Sequence, residues 1–317
     1  MVSQQPTYLI FSRHFDPHAA DTYSRLIRLL CAQRCHVAVW ETLFEQMAQC
    51  HFPDLQFVSQ HMACVTSNGV QAVICVGGDG TFLAAAKLVM GTDVPVLGIN
   101  RGRLGFLSDV APDQLQQAVA DLCMGNYRTT DVPVLNMYAN DQREPIGFAV
   151  NEFAISKCDN SSMLTIDAYV DGDFLTTYWA DGLILSTATG STAYSLSVGG
   201  PIVYPTANCL TLTPVAPHNL SMRPLVLPQS VVLSLRVDGR GPNIMTSFDG
   251  QTHLMPNGTR LRIAKANIRV RRIQLASYSF FRTLREKLLW GADARNNLLH
   301  QDAHVNPSAP TFEDNDD

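Results

Sequence analysis

Two short stretches of the chain put reactive groups where an ordinary turn has no use for them. The first is "VGGDGTFL" at 76–83, directly behind the apolar run "AVIC" and ahead of the helix-forming "AAAKLV". A glycine turn between a strand and a helix lets backbone N–H groups approach an anion, and the helix N-terminus adds about half a positive charge. Gly77, Gly78 and Gly80 are the candidates for this phosphate turn, and Thr81 is a candidate helix cap. Asp79 is out of place in a purely anion-binding turn. It fits as a base for an attacking hydroxyl or as a ligand to Mg²⁺ bridging phosphates, and equally as the aspartate of a plain Asp-Gly turn.

The second stretch is "ADGLILSTATGSTAYSLSVGGP" at 180–201, where a strand runs into small hydroxyl residues and glycine. Small side chains let a flat ligand lie against the backbone, hydroxyls bond its edges, and Tyr194 can cover a ring face. A Ser/Thr-rich loop with a helix cap is the plainer reading, and the density of small residues beside an aromatic favours the ligand site. A third feature is Asn151-Glu152, an amide and a carboxylate that interrupt "GFAV…FAIS". A solvent-facing residue beside a turn explains such a pair as well as a ligand contact does.

The elements that must carry these residues change character along the chain. In the first third, "TYLIFSR" (7–13) reads as a strand, 19–35 as a helix with Leu26, Leu29 and Leu30 on one face, and 36–42 as a strand. A weaker helix near 43–50, strand 72–76, helix 81–90, strand 94–99 and helix 112–125 follow. This alternation predicts an α/β domain with a parallel sheet over 7–130, after a short tail at 1–6. From 131 to 276, short β-prone runs separated by Asn-Asp, Asp-Gly and Asn-Gly predict a largely antiparallel, β-rich domain. The segment 277–297 holds a helix with Phe280, Leu284 and Leu288 on one face, expected to return to the first domain. The tail 298–317 is expected to be disordered; its stretch 301–317 carries five acids and no base.

Composition narrows the function classes. With 23 basic and 28 acidic residues among 317, the net charge is 23 − 28 = −5, which argues against a sequence-independent grip on nucleic acid. Apolar residues make up 46%, enough for a substantial core. The eight cysteines form no C-x-x-C pair, which fits free thiols in a reducing cytoplasm, and no signal peptide or membrane span is readable. There is no Gly-Lys dipeptide for a Walker A loop, no G-x-G-x-x-G, no H-E-x-x-H and no G-x-S-x-G, and no histidine pair has metal spacing.

Taken together, "GGDGT" (77–81), "NE" (151–152), "DGLILSTATGSTAYSLSVGGP" (181–201) and "SFDGQ" (247–251) closely resemble the ATP-NAD kinase family, bacterial type. "GINRGRLGFL" (98–107) and "MRPLVLP" (222–228) add to the resemblance, which covers roughly residues 7–290. GGDGT alone is shared with diacylglycerol-type lipid kinases and phosphofructokinases; the Thr/Ala/Tyr block makes the pattern specific. The resemblance implies an α/β domain and a β-rich domain with a cleft between them, and a homo-oligomer, dimer or tetramer. It implies phosphorylation of the adenosine 2′-hydroxyl of NAD⁺ by ATP or another phosphate donor, with Mg²⁺ or another divalent cation.

Carried over by position, the family pattern makes Asp79 the residue that activates the hydroxyl. It places Asn151 and Glu152 on the adenosine half, and Thr192, Ala193, Tyr194, Ser195, Leu196 and Ser197 around adenine and ribose. Asp181 falls on the nicotinamide and Gln251 on the cleft wall. Many members carry Arg or Lys two positions before the Asp181 equivalent; here Trp179 stands there. The alternatives from the residues alone are a lipid kinase, for which no basic amphipathic surface is legible, and a non-catalytic NAD(H) sensor, which would gain nothing from an acid beside phosphates.

Overall fold

The computed structural model describes residues 5–48, 58–60, 69–140, 142–158 and 163–291; the expected acidic tail at 298–317 lies outside them. The first strand, β1 (Thr7–Phe11), shows why the N-terminal part folds as it does. Its side chains alternate between two cores: Tyr8 and Ile10 face one, Leu9 and Phe11 the other. A strand buried on both faces belongs in the interior of a parallel sheet covered by helices on each side.

The neighbours comply. Strands β2 (His36–Trp40), β3 (Val58–Gln60), β4 (Val70–Val76) and β5 (Val96–Ile99) pair in parallel with β1 in the order β5-β4-β1-β2-β3. One face is covered by α1 (Ala20–Ala32), α2 (Glu41–Ala48) and, later in the chain, α4 (Leu115–Met124). Helix α3 (Asp79–Val89) covers the other through Phe82, Ala85, Ala86 and Val89.

The remaining strands are mostly antiparallel. Strands β6 (Tyr127–Ala139), β7 (Gly147–Ala149), β9 (Leu164–Val170), β10 (Asp173–Ala180), β14 (Leu233–Asp238) and β17 (Arg260–Leu275) extend the first sheet to eleven strands. A second, six-stranded sheet has the order β13-β12-β11-β8-β15-β16. Its strands are β8 (Glu152–Lys157), β11 (Gly182–Thr187), β12 (Cys209–Val215), β13 (Leu225–Pro228), β15 (Asn243–Phe248) and β16 (Gln251–Pro256). The two sheets enclose a core that includes Leu135, Phe153, Ile166, Leu185, Leu212, Leu235 and Ile263, as in a β-sandwich.

One strand ties the two textures together. β17 runs antiparallel to β6 and β14, then meets β5 in parallel through Arg272 and Val96. A register shift between Lys265 and Arg269 lets it turn from the sandwich into the parallel sheet. Strand β6 likewise runs unbroken through residues 130 and 131, where the composition changes. The chain divides into two compact units, Met1–Tyr278 and Ser279–Asp317. In the second, helix α6 (Phe280–Leu288) is capped by Ser279, whose hydroxyl accepts the Arg282 N–H.

Candidate active site

The order of the parallel strands reverses between β1 and β4, so a crevice opens at their carboxyl ends, the usual ligand position in such sheets. Asp79 follows β4 at this point and is the first residue of α3. Gly78 is the N-cap, and Thr81 sits buried inside the first turn, so the helix is not capped by the Thr81 hydroxyl as the sequence suggested. Gly77 donates its N–H to the Ile99 carbonyl at 2.8 Å, and the Gly78 carbonyl accepts the N–H groups of Thr81 and Phe82. A Cβ on Gly78 would meet nothing within 4 Å, and one on Gly80 only Arg13, at 3.8 Å.

The Asp79 carboxylate is held by a second loop. Its Oδ2 accepts the N–H of Phe106 at 3.0 Å, and Oδ1 accepts those of Leu107 at 2.9 Å and Ser108 at 3.1 Å. Gly105 permits this approach, since a Cβ there would lie 2.2 Å from Asp79 Oδ1. The loop is fixed in turn by Asp109, whose carboxylate pairs with Arg272 of β17 at 2.9 Å. Both partners are buried, at 3% and 9% side-chain exposure, and the Arg272 guanidinium lies 4.6 Å from the centre of the Tyr278 ring. Burial pushes the Asp109 carboxyl up, and the guanidinium opposes that shift.

A second aspartate organises the sandwich side in the same manner. Asp249 occupies the two-residue turn between β15 and β16, with Asp249 and Gly250 both at positive φ as a type I′ hairpin demands. Its carboxylate accepts the N–H groups of Val150 at 2.9 Å, Asn151 at 2.8 Å and Glu152 at 3.2 Å. Burial raises its pKa, opposed by those three N–H groups and by Lys87. Lys87, on α3, donates to Gln251 at 3.1 Å. The helix that starts at Asp79 therefore touches the turn that holds Asn151 and Glu152.

Glu152 is buried and its Oε2 has no hydrogen-bond partner, as is true of Asn151 Oδ1. Burial first, and the Asp249 charge second, raise the Glu152 pKa from 4.5 to about 7, against a Tyr194 N–H that favours the charged form. Two adjacent buried acceptors without donors are costly unless a bound group supplies the donors. Thr187 closes the arrangement, its Oγ1 donating to the Val150 carbonyl at 2.8 Å. Gly190 lies so close to Asn151 that a Cβ would sit 2.2 Å from its carbonyl oxygen.

The sequence-derived residues thus separate into groups. Asn151, Glu152, Tyr194 and Gln251 are linked to one another and to the Asp79 helix by these contacts. Thr192, Ala193, Leu196 and Ser197 accompany Tyr194, which is exposed, in a 3₁₀ turn followed by the short helix α5 (Tyr194–Ser197). Ser195 points inward, fully buried, with its hydroxyl 3.1 Å from that of Thr213. Asp181 pairs with Lys157 at 2.7 Å, at the far end of β11 from Ser186, which lies opposite Glu152. Trp179 is exposed on β10, opposite Thr165.

The sequence reading gave no role to Lys87, Asn100, Asp249 or Arg272, although Asn100 and Asp249 lie within the quoted "GINRGRLGFL" and "SFDGQ". Asn100, buried after β5, bonds the Gly102 N–H through Oδ1 and leaves Nδ2 without a partner. Among the described residues no group of three or more His, Cys, Asp or Glu is arranged to hold a metal ion.

Residues 8–127 match the family model of the ATP-NAD kinase N-terminal domain, and 150–275 that of the ATP-NAD kinase C-terminal domain. An NAD kinase of Cytophaga hutchinsonii is 35% identical over 292 residues, covering 91% of this chain and all of that protein. An NAD kinase of Bacteroides fragilis is 45% identical over 226 residues, covering 70% and 77%. The fold is shared with a yeast NADH kinase solved with NADH (TM-score 0.82, 24% identity, 91% of this chain and 89% of that one). It is also shared with an Archaeoglobus fulgidus NAD kinase solved with ATP (TM-score 0.69, 21% identity, 90% and 99%). With both domain models matched in order and full-length relatives above 30% identity, the chain belongs to the ATP-NAD kinase family.

Proposed function

We propose that this chain transfers the terminal phosphoryl group of ATP, supplied as its divalent-cation complex, to the adenosine 2′-hydroxyl of NAD⁺. The bond from the 2′-oxygen to phosphorus forms, the bond to the ADP oxygen breaks, and the hydroxyl proton passes to the Asp79 carboxylate. The observation that carries this reading is the linkage of the switch-point carboxylate, through α3, Lys87 and the Asp249 turn, to the unpaired acceptors Asn151 and Glu152. A ribose held by Asn151 and Glu152 would lie toward α3, and the Lys87 contact is in the last turn of that helix, about 12 Å along it from the N-terminal glycines that suit phosphate. A positioned base contributes about 10²–10⁴-fold to such a transfer, and the rest comes from orientation and charge stabilisation.

Further elements of the reading rest on particular residues. Asp181 facing the nicotinamide would put the two ends of the dinucleotide about 17 Å apart, the length of five residues of β11. A homo-oligomer, dimer or tetramer, is supported by the edge strand β10, which presents Phe174 and Trp179 to solvent. A cytoplasmic site of action is supported by the free thiols of the six described cysteines. No described helix is long and apolar enough to cross a membrane.

Purified protein incubated with Mg²⁺, ATP and either NAD⁺ or NADH, and assayed for the 2′-phosphorylated product, tests the reading. Product from NAD⁺ is expected. Dinucleotide binding with no product from either acceptor would leave a non-catalytic sensor in its place.

A further inference from the structure

The outer face of the antiparallel half of the large sheet carries a feature that the kinase site does not use. Leu233, Leu235, Val237, Leu261 and Ile263 point into the sandwich core, so the alternate residues of β14 and β17 point the other way. There Arg236 lies opposite Arg260, and Ser234 opposite Arg262. With Arg143 and Tyr169 they line a cavity of about 650 Å³ that has four arginines and no carboxylate in its wall. In a chain of net charge −5 this is a concentrated reversal of sign.

Two acids border the patch and offset part of its charge, which leaves an excess of two positive charges (4 − 2). Asp238 takes Arg236 Nε at 3.2 Å, and Asp167, opposite Arg236, accepts the Thr177 hydroxyl at 2.6 Å. Arg262 is held with its guanidinium 4.1 Å from the centre of the Tyr138 ring, so its fork is fixed in orientation. Guanidinium forks bind phosphate oxygens in pairs, and several around one cavity suit a chain of phosphates better than a single carboxylate. The depression is open to solvent and large enough for a short phosphate chain.

The geometry points to a second anion site, in which Arg143, Arg236, Arg260 and Arg262 bind a small polyphosphate, either inorganic or the phosphate chain of a nucleotide. It is separate from the crevice at Asp79. Arg262 and Arg272, where the strand meets the parallel sheet, are ten residue steps apart along β17, about 30 Å of strand.

Hydrogen exchange on the full chain with tripolyphosphate, ATP and adenosine as probes tests this without reference to turnover. The expected result is slower exchange at 234–236 and 260–262 with tripolyphosphate and none with adenosine. Equal protection by ATP identifies the phosphate chain as the recognised group, and protection by ATP alone identifies a nucleotide. The Arg236→Gln, Arg262→Gln double variant should weaken the protecting interaction at least about tenfold, while Arg25→Gln on α1 leaves it unchanged. The charge-retaining Arg236→Lys, Arg262→Lys pair should fall between, and it serves if the glutamine variant folds poorly. No protection by either phosphate probe, or an undiminished affinity in the double variant, would overturn the site. So would protection that grows with protein concentration alone, because a second copy would then cover the face.

Discussion

Asp79 and Asp249 make the same bonds in different places. Each precedes a glycine, and each carboxylate accepts three consecutive backbone N–H groups from a distant segment, 106–108 in one case and 150–152 in the other. Gripping a loop is therefore not what sets the proposed catalytic aspartate apart. Asp79 opens a helix at the switch point of a parallel sheet, beside open glycine backbone. Asp249 sits in a hairpin turn and hands its order on to Asn151 and Glu152. In the proposed reaction, one carboxylate would face the transferring phosphate and the other would shape the pocket for the acceptor.

The largest perturbation of this comparison acts on the Asp79 side alone. Arg272→Met leaves the Asp109 carboxylate buried without its partner, and thermal or urea unfolding should show a loss of about 3–5 kcal/mol. Hydrogen exchange should then rise at 105–109 more than at 150–152. Equal loosening of both loops would mean that the two grips are not independent.

A slightly smaller effect belongs to the Asp249 side. Glu152 titrates near 7 in the folded protein against 4.5 ordinarily, so the native state holds the proton more tightly than the unfolded chain. Its contribution to stability is complete below pH 4.5 and is lost as pH rises toward 7, about 3 kcal/mol in all. Glu152→Gln should flatten that slope in urea unfolding measured between pH 4.5 and 7. A variant with the slope of the wild type would show that Glu152 ionises freely in the folded state. The smallest effect is expected at the bridge between the two sides. Lys87→Met breaks an exposed contact with Gln251 and should change stability by only about 0.2–1 kcal/mol.

The same comparison explains what could be read from the sequence. The buried strands and amphipathic helices of the first third were legible because local periodicity records them; "TYLIF" and "HVAVW" are strands as expected. Asp79 stood out because a carboxylate among glycines behind a strand is chemically odd. Asp249 lay in the quoted "SFDGQ" but carried no assigned role, since Asp-Gly between β-prone runs is ordinary turn chemistry and its bonds span 97 to 99 residues of chain. The role of β17 was hidden for a related reason. Its alternating sequence says strand, but a pairing partner more than a hundred residues away in sequence is set by tertiary packing, so its junction with β5 was not visible.

The most direct test of the central claim is a paired measurement of steady-state kinetics on Asp79→Asn and Asp249→Asn, with NAD⁺ varied at saturating ATP and Mg²⁺. Both substitutions weaken a loop grip, but only one removes the proposed proton acceptor. Asp79→Asn should lower kcat at least about 100-fold with little change in the NAD⁺ KM. Asp249→Asn should act mainly through KM. Near-normal kcat in Asp79→Asn, or the same loss of kcat in both variants, would contradict the assignment of the chemistry to Asp79.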